Sequence, residues 1–228
     1  YFPGVLAHGG FPLEELAPFQ YLRTDGIFGV PLGVSASFIF LFVLFGAILS
    51  VSGAGQFFID LALAVTGRSQ GGPGKAAVVA SGLMGTVSGS SVANAVTTGA
   101  FTIPLMKKAG YTPNFAGAVV AASSTGGQVM PPVMGAAAFI MAQFLGISYW
   151  DIVVAAALPA TLYFISIVAM VHFRAGKRGI QSLTGETAPR VGRVLKEGWH
   201  LLLPIITLVV FLALGYSAVK AVFWSIVI

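Results

Sequence analysis

The chain has 228 residues, of which 57% are hydrophobic and 8% are charged, and its mean hydropathy is +0.91. Soluble domains carry about 25% charged residues, so this composition excludes a soluble globular protein and indicates an integral membrane protein. The chain contains no Cys, which excludes disulfides and thiolate metal sites. The formal net charge is +5, and half of the 12 basic residues lie between Arg174 and Lys196. That clustering is typical of membrane topology rather than of nucleic-acid binding.

The N-terminal part is predicted as a lead-in, a membrane span and a short interfacial helix. Residues 1–33 hold several prolines and most of the early charges and read as a periplasmic lead-in. The first clear apolar span is Val34–Val51, and Gln56–Thr66 is too short to cross a bilayer. We therefore treat 34–74 as a scaffold helix followed by an interfacial helix. Because the chain starts at Tyr1 and stops within an apolar run, we expect it to be part of a longer permease.

The next apolar stretch has a length between those of one and two membrane crossings, and its centre is rich in glycine and in hydroxyl side chains. Residues 76–106 are uncharged and number 31, whereas two crossings need about 40 apolar residues and one needs about 20. At the centre lies GTVSGSSVANAVTTG, residues 85–99. A turn inside the membrane survives only where it is buried in protein or lines a polar cavity, and glycines with Ser, Thr and Asn suit such a turn. The pattern predicts a re-entrant helical hairpin over 75–108. A single tilted span is the alternative, with the glycines serving helix packing.

Charge distribution gives the orientation. The basic segment 176–198 is predicted to be a cytoplasmic loop, which follows a transmembrane helix over 149–175 and precedes a last, truncated transmembrane helix over 199–228. Counting backwards, the segment 113–145 leaves the cytoplasm. Both ends of the hairpin are then cytoplasmic, which places four further basic residues on that side: Arg68, Lys75, Lys107 and Lys108.

The segment 113–145 is interrupted by GGQVMPP at 126–132. Prolines lack a backbone donor and leave preceding carbonyls unpaired, so carbonyl oxygens between Gly126 and Val129 are candidates to coordinate a small cation. A simple proline kink is the alternative. Paired helix interruptions are typical of secondary-transporter binding sites, and a helix N-terminus beginning near Ser91 suits a carboxylate. No acidic residue lies between Lys75 and Asp151, so a cation here would depend on neutral oxygens.

Two consecutive motifs, GTVSGSSVANAVTTGAFTIPLMKKAGY and AGAVVAASSTGGQVMPPVMGAAAFIMA, resemble the large membrane subunit of tripartite ATP-independent periplasmic (TRAP) transporters, in particular the type with fused small and large subunits. The resemblance implies an all-α integral membrane fold with a re-entrant helical hairpin and a broken helix, forming the first of two inverted repeats of an elevator-type transporter. It also implies a multi-pass protein of the bacterial inner membrane. Such a permease imports a carboxylate solute with Na⁺ as coupling ion and needs no other cofactor. Its partners would be a periplasmic substrate-binding protein, a separate or fused small membrane subunit, and membrane lipid.

The candidate substrate- and ion-binding residues follow from the two motifs: Ser88, Gly89, Ser90, Ser91, Asn94, Gly126, Gly127, Val129 and Pro131. The resemblance assigns Na⁺ to Ser88 together with the carbonyls of Gly126, Val129 and Pro131. Many family members have Ser after the paired prolines, where this chain has Val133, so a hydroxyl contact at that point is not expected.

Rival functions remain open at this stage. An intramembrane hydrolase is disfavoured because His8, His172 and His200 lie far from the centre of the hairpin motif, and Asp60 and Asp151 border apolar segments. No catalytic residue is therefore assigned. A hairpin-type ion-coupled transporter without a binding protein, or a channel with a re-entrant loop, are the alternatives.

Overall fold

The computed structural model describes residues 12–24, 26–180 and 189–228, and within these ranges every regular element is helical. A π-helical turn, Ser35–Ile39, lies between the helices Val30–Val34 and Phe40–Val51, and a 3₁₀ turn, Trp199–Leu202, lies between the helices Val191–Gly198 and Leu203–Ala213. The helices are α1 Leu13–Leu22, α2 Val30–Val34, α3 Phe40–Val51, α4 Ala54–Thr66, α5 Gly72–Ser88, α6 Ser91–Lys108, α7 Pro113–Gly126, α8 Ala136–Leu145, α9 Tyr149–Arg178, α10 Val191–Gly198, α11 Leu203–Ala213 and α12 Ala218–Val227.

Among the described residues, three continuous helical segments are long and apolar enough to cross a membrane: Val30–Val51, Tyr149–Arg178 and Val191–Ala213. The all-helical fold predicted from the sequence is thereby confirmed for the described residues. The first span begins at Val30 rather than at Val34, because Pro31 supplies a preorganised first turn. The arms α5 and α6 are not among the span-length segments.

Helices α5 and α6 form an antiparallel pair joined by Gly89 and Ser90 alone. Gly89 has φ +57°, a left-handed conformation that ends α5, and the Ser90 hydroxyl caps α6 by accepting from the Ala93 N–H at 3.3 Å. At the other end of the pair, the Tyr111 hydroxyl donates to the Gly71 carbonyl at 3.2 Å. The start of α5 and the end of α6 therefore lie together, opposite the turn.

A break of nine residues, 127–135, separates α7 from α8. Pro131 and Pro132 lie in its centre and cannot donate to a helix ladder. The Tyr149 hydroxyl, at the start of α9, donates to the carbonyls of Pro132, at 2.9 Å, and Val133. The break is thus a defined, packed structure rather than a kink in one continuous helix.

Two predictions for the C-terminal part are wrong. The segment 199–228 is not one helix: α11 and α12 are separate helices packed against each other, because Gly215 takes φ +81° and Ser217 caps α12. The basic segment 176–198 is not a loop throughout, since α9 continues to Arg178 and α10 is helical. Residues 181–188 lie outside the described residues.

The buried apolar side chains form two large clusters. One joins the hairpin arms to α7 and the C-terminal half of α9 and includes Val78, Met106 and Val171. The other joins α3, α4, α8, the start of α9 and α10–α12 and includes Phe45, Phe139 and Leu208. Met84 and Val87, near the tip of the hairpin, belong to the second cluster, and Ala76 and Ala80 of α5 pack against α4, so the hairpin meets the remaining helices along α5 as well as at its tip.

Candidate functional site

The tip of the hairpin lies directly on the break between α7 and α8. A Cβ atom on Gly89 would overlap the carbonyl oxygen of Met134, and one on Gly85 would lie 2.5 Å from the Cα of Gly127. Neither position could accept a larger residue without a shift of the backbone. The two glycine-rich motifs, some forty residues apart in the sequence, are therefore in contact in the fold.

A cavity of about 390 Å³ lies where the tip, the break and α3 meet. Its polar lining comes from Ser88, Ser90 and Gln128, and apolar side chains of α3 and α8 form other parts of the wall. No charged residue of the described chain lines it. The Ser88 hydroxyl oxygen is buried and has no hydrogen-bond partner among the described residues. Because a buried polar group normally has a partner, the Ser88 hydroxyl, which lies covered in the cavity wall, is an unsatisfied group at this site.

Ser90 and Ser91 have different roles. The Ser90 hydroxyl caps α6, while the Ser91 hydroxyl accepts a hydrogen bond from Gln128 Nε2 at 2.7 Å. Sequence reasoning missed Gln128. The available signal was its position, an uncharged polar side chain between a glycine pair and a proline pair in an otherwise apolar segment.

Asn94 lies inside the hairpin and does not line the cavity. Its exposed fraction is 0%, and its Nδ2 donates to the Ser81 carbonyl at 2.8 Å. The Ser81 hydroxyl lies 3.2 Å from the Thr98 hydroxyl and 3.4 Å from the Ser124 hydroxyl. This buried network ties the two arms to each other and to α7, and Gly127 packs against the Asn94 amide.

The backbone of the break supplies several carbonyl oxygens. The Gly126 carbonyl accepts from the Val129 N–H at 3.1 Å, whereas the carbonyls of Val129 and Pro131 accept no hydrogen bond from the described residues. Ser88 lines the cavity, but Gly126, Val129 and Pro131 are not among its lining residues. The structure thus brings the tip to the break without gathering all four predicted Na⁺ ligands around one cavity, and their ligand role stays a prediction.

Tyr149 is a second residue that sequence reasoning missed. Its ring stacks on Phe139 with a centroid separation of 4.5 Å, and its hydroxyl binds the break carbonyls described above. It therefore fixes the far side of the break to α9. A larger cavity, about 770 Å³, lies beside α1 and contains none of the predicted site residues.

A helical hairpin packed on a broken helix, beside span-length apolar helices, is an arrangement typical of secondary transporters. The chain belongs to the family of the DctM component of tripartite ATP-independent periplasmic transporters, whose family model matches residues 5–228. The predicted family is confirmed, and the chain is a membrane protein.

Relatives from three bacteria illustrate the match. The chain is 31% identical to an uncharacterized protein, y4mL, of Sinorhizobium fredii, over 93% of this chain and 49% of that protein. It is 30% identical to the sialic acid TRAP transporter large permease SiaM of Vibrio cholerae, over 72% of this chain and 38% of the relative. It is 25% identical to the isethionate TRAP transporter permease DctMQ of Oleidesulfovibrio alaskensis, over 90% of this chain and 31% of the relative. The chain thus spans about half or less of the length of these relatives.

Proposed function

We propose that the chain is part of the permease of a Na⁺-coupled secondary transporter that imports an anionic carboxylate solute across a bacterial inner membrane. The observation that carries the proposal is the contact between the hairpin tip and the helix break beside a cavity lined by Ser88, whose buried hydroxyl has no partner among the described residues. Interrupted helices that meet in this way are typical of secondary-transporter binding sites.

An anionic solute suits the polar groups of this cavity. Helix α6 begins at Ser91, beside the cavity, and its N-terminus carries a partial positive charge. The lining includes the hydroxyl-bearing residues Ser88 and Ser90, together with Gln128, whose amide binds Ser91, and it holds no acidic group that would repel a carboxylate. Two relatives are named for sialic acid and isethionate, and we extend to this chain only the broad class, an organic anion.

Sodium coupling would depend on neutral oxygens. The Ser88 hydroxyl and the carbonyls of Val129 and Pro131 have free acceptor capacity, and the Gly126 carbonyl has a second lone pair besides the one used by Val129. We propose that these groups form the Na⁺ site through a local rearrangement of the break, against which the tip already packs. A bound cation would also offset the charge of the solute.

The proposed membrane placement follows from the hairpin. With Tyr111 bound to Gly71, both ends of the α5–α6 pair lie together, and neither arm has the length and apolarity of a span. We propose that the pair enters from the cytoplasm and returns there in a multi-pass protein. Residues 75–148 would then form part of the moving domain of an elevator, in the first of two inverted repeats.

The partners proposed for the complete permease are a periplasmic binding protein that delivers the solute and a small membrane subunit, separate or fused. The family supports both, because its description is that of one component of a tripartite transporter. Two alternatives differ from this proposal in what can be measured. A hairpin-type transporter without a binding protein would not require that protein for uptake, and a channel would conduct passively.

The test is uptake by the complete permease in proteoliposomes with its cognate binding protein. We expect uptake to require an inward Na⁺ gradient and the binding protein, and to be lost in Ser88→Leu and Ser90→Leu. Ser166→Leu is the matched control, because Ser166 is exposed on α9 and bonds only within its own helix.

Each failure has a distinct meaning. Uptake that persists without Na⁺ would refute Na⁺ coupling. Uptake without the binding protein would support a hairpin-type transporter that needs no binding protein. Passive conductance in both directions would support a channel. Full activity in Ser88→Leu would show that ion and solute do not bind in this cavity.

A further inference from the structure

The Gln128 side chain crosses from the helix break to the hairpin tip. Its Nε2 donates to the Ser91 hydroxyl at 2.7 Å, while its own carbonyl accepts from the Gly135 N–H at 2.7 Å and its N–H donates to the Thr125 carbonyl at 3.2 Å. The backbone of Gln128 is therefore held within the break, and its side chain reaches the first turn of α6.

The other contacts between tip and break are of a different kind. Gly89 on Met134 and Gly85 on Gly127 are close backbone approaches that fill space but have no directional bond between side chains. The Gln128–Ser91 hydrogen bond is directional and lies at the edge of the contact, where Gln128 is exposed and Ser91 is half-buried. A neutral hydrogen bond in such a place contributes modestly to stability, so it can break and re-form as the tip moves.

We infer that Gln128 is a positioning residue of the candidate site: acting through Ser91, it holds the hairpin tip against the break and so sets the width of the cavity where ion and solute bind. The inference rests on the proposed function. Gln128 lines the same cavity as Ser88 and Ser90, so a change in the tip-to-break distance changes the spacing of all three polar groups. Loss of the bond would widen the cavity and weaken ligand binding, although Ser91 itself is not among the residues that line the cavity.

The contact is tested first without transport. Hydrogen exchange of the tip amides is measured in detergent for wild type, Gln128→Ala, Ser91→Ala and the double variant. We expect exchange at the tip to be about fivefold faster than in wild type in each single variant, the effect of losing one hydrogen bond. The double variant should exchange at the same rate as either single variant, because both changes remove the same bond. Ser91→Thr keeps the hydroxyl and should retain the wild-type rate.

The control for the side chain is Gln143→Ala. Gln143 is also exposed and lies on α8, but it lines a different cavity. We expect no change of exchange at the tip in this variant. Unchanged exchange in Gln128→Ala, or an increase in Ser91→Thr as large as that in Ser91→Ala, would overturn the inference.

The functional test is uptake by the complete permease carrying the same changes. We expect the half-saturating concentrations of Na⁺ and solute to rise about fivefold in each single variant and by the same factor in the double variant, with the maximal rate retained. Effects that multiply in the double variant would overturn the inference, because Gln128 would then act independently of Ser91. If wild type shows no Na⁺-coupled uptake, the proposed function fails, whereas the exchange experiment still decides whether Gln128 holds the tip.

Discussion

Gly89 at the hairpin tip and Met134 in the helix break are in backbone contact, so close that a Cβ on Gly89 would overlap the Met134 carbonyl oxygen. Both residues have positive φ, +57° for Gly89 and 55° for Met134. Two irregular backbone segments therefore meet without side chains between them. The hairpin turn and the break act as one structural unit, and a change in either is expected to be felt in the other.

The first prediction concerns Gly89→Ala. An L residue in a left-handed conformation costs about 1–2 kcal/mol, and here the methyl group would also collide with Met134. We expect Na⁺-dependent uptake to fall by roughly tenfold or more. The measurement is initial uptake in proteoliposomes, corrected for the amount of inserted protein.

Gly146→Ala separates backbone strain from collision. Gly146 has φ +64° and open space around the position of a Cβ, so it carries a similar strain without a clash. We expect a mild loss of thermal stability and near-normal uptake in this variant. Equal defects in the two variants would show that strain alone matters, and the contact between tip and break would lose its significance.

The second prediction is that Asn94 acts on stability rather than on ligand affinity. Asn94→Ala leaves the Ser81 carbonyl and the Thr98 hydroxyl with fewer partners in a fully buried place. The expected cost is about 1–3 kcal/mol of unfolding free energy, seen as a lower thermal unfolding midpoint in detergent. Asn114→Ala, in the exposed first turn of α7, is the control. A raised half-saturating Na⁺ concentration with unchanged stability would contradict a purely structural role and would indicate that Asn94 takes part in ion binding.

Local rules predicted the helix ends around the site. The glycine and serine run correctly indicated a turn before Ser91, because Gly89 permits a left-handed residue and Ser90 is a good helix cap. The start of the helix predicted over 149–175 agrees with α9, where Asp151 forms a capping box with Ser148. Features of this kind depend on neighbours in the sequence, and the sequence displays them.

Contacts between residues far apart in the chain could not be predicted from the sequence. Nothing in the spacing of Gln128 and Ser91, or of Tyr149 and Pro132, indicates that these residues touch, since each pair meets through the packing of whole helices. The division between α11 and α12 was missed because Gly215 is a single glycine in an apolar run, and apolar composition does not reveal where such a run turns.

The third prediction concerns Asp60 on α4, a helix outside the three span-length segments. Burial raises the pKa of Asp60, a hydrogen bond from Gln56 at 3.0 Å lowers it in part, and the charge of Glu197 raises it further. Because the folded-state pKa lies above the unfolded value, the contribution of Asp60 to stability is fully present below about pH 4 and is lost as the pH rises through the folded pKa.

Asp60→Asn removes this pH dependence. Its amide oxygen can still accept from Gln56, so the expected result is a higher thermal unfolding midpoint than wild type at neutral pH and a difference that vanishes below about pH 4. Thermal unfolding in detergent across this pH range is the measurement. Glu14→Gln, an exposed position on α1, should show no such difference. A midpoint lower than wild type at neutral pH would mean that ionised Asp60 stabilises the fold.

The fourth prediction concerns the membrane face of the hairpin ends. Arg68 precedes α5, Lys108 ends α6, and both side chains are exposed. These 228 residues contain no Cys, so Arg68→Cys and Lys108→Cys each add one labelling site to this part of the permease. Because the Tyr111–Gly71 hydrogen bond closes the base of the hairpin, we expect a membrane-impermeant maleimide to label both from the same face, the cytoplasmic one. Ile147→Cys, exposed before α9, is the reference for the opposite face. Labelling of positions 68 and 108 from opposite faces would mean that the α5–α6 pair crosses the bilayer, and the re-entrant site proposed here would then have no place in the membrane.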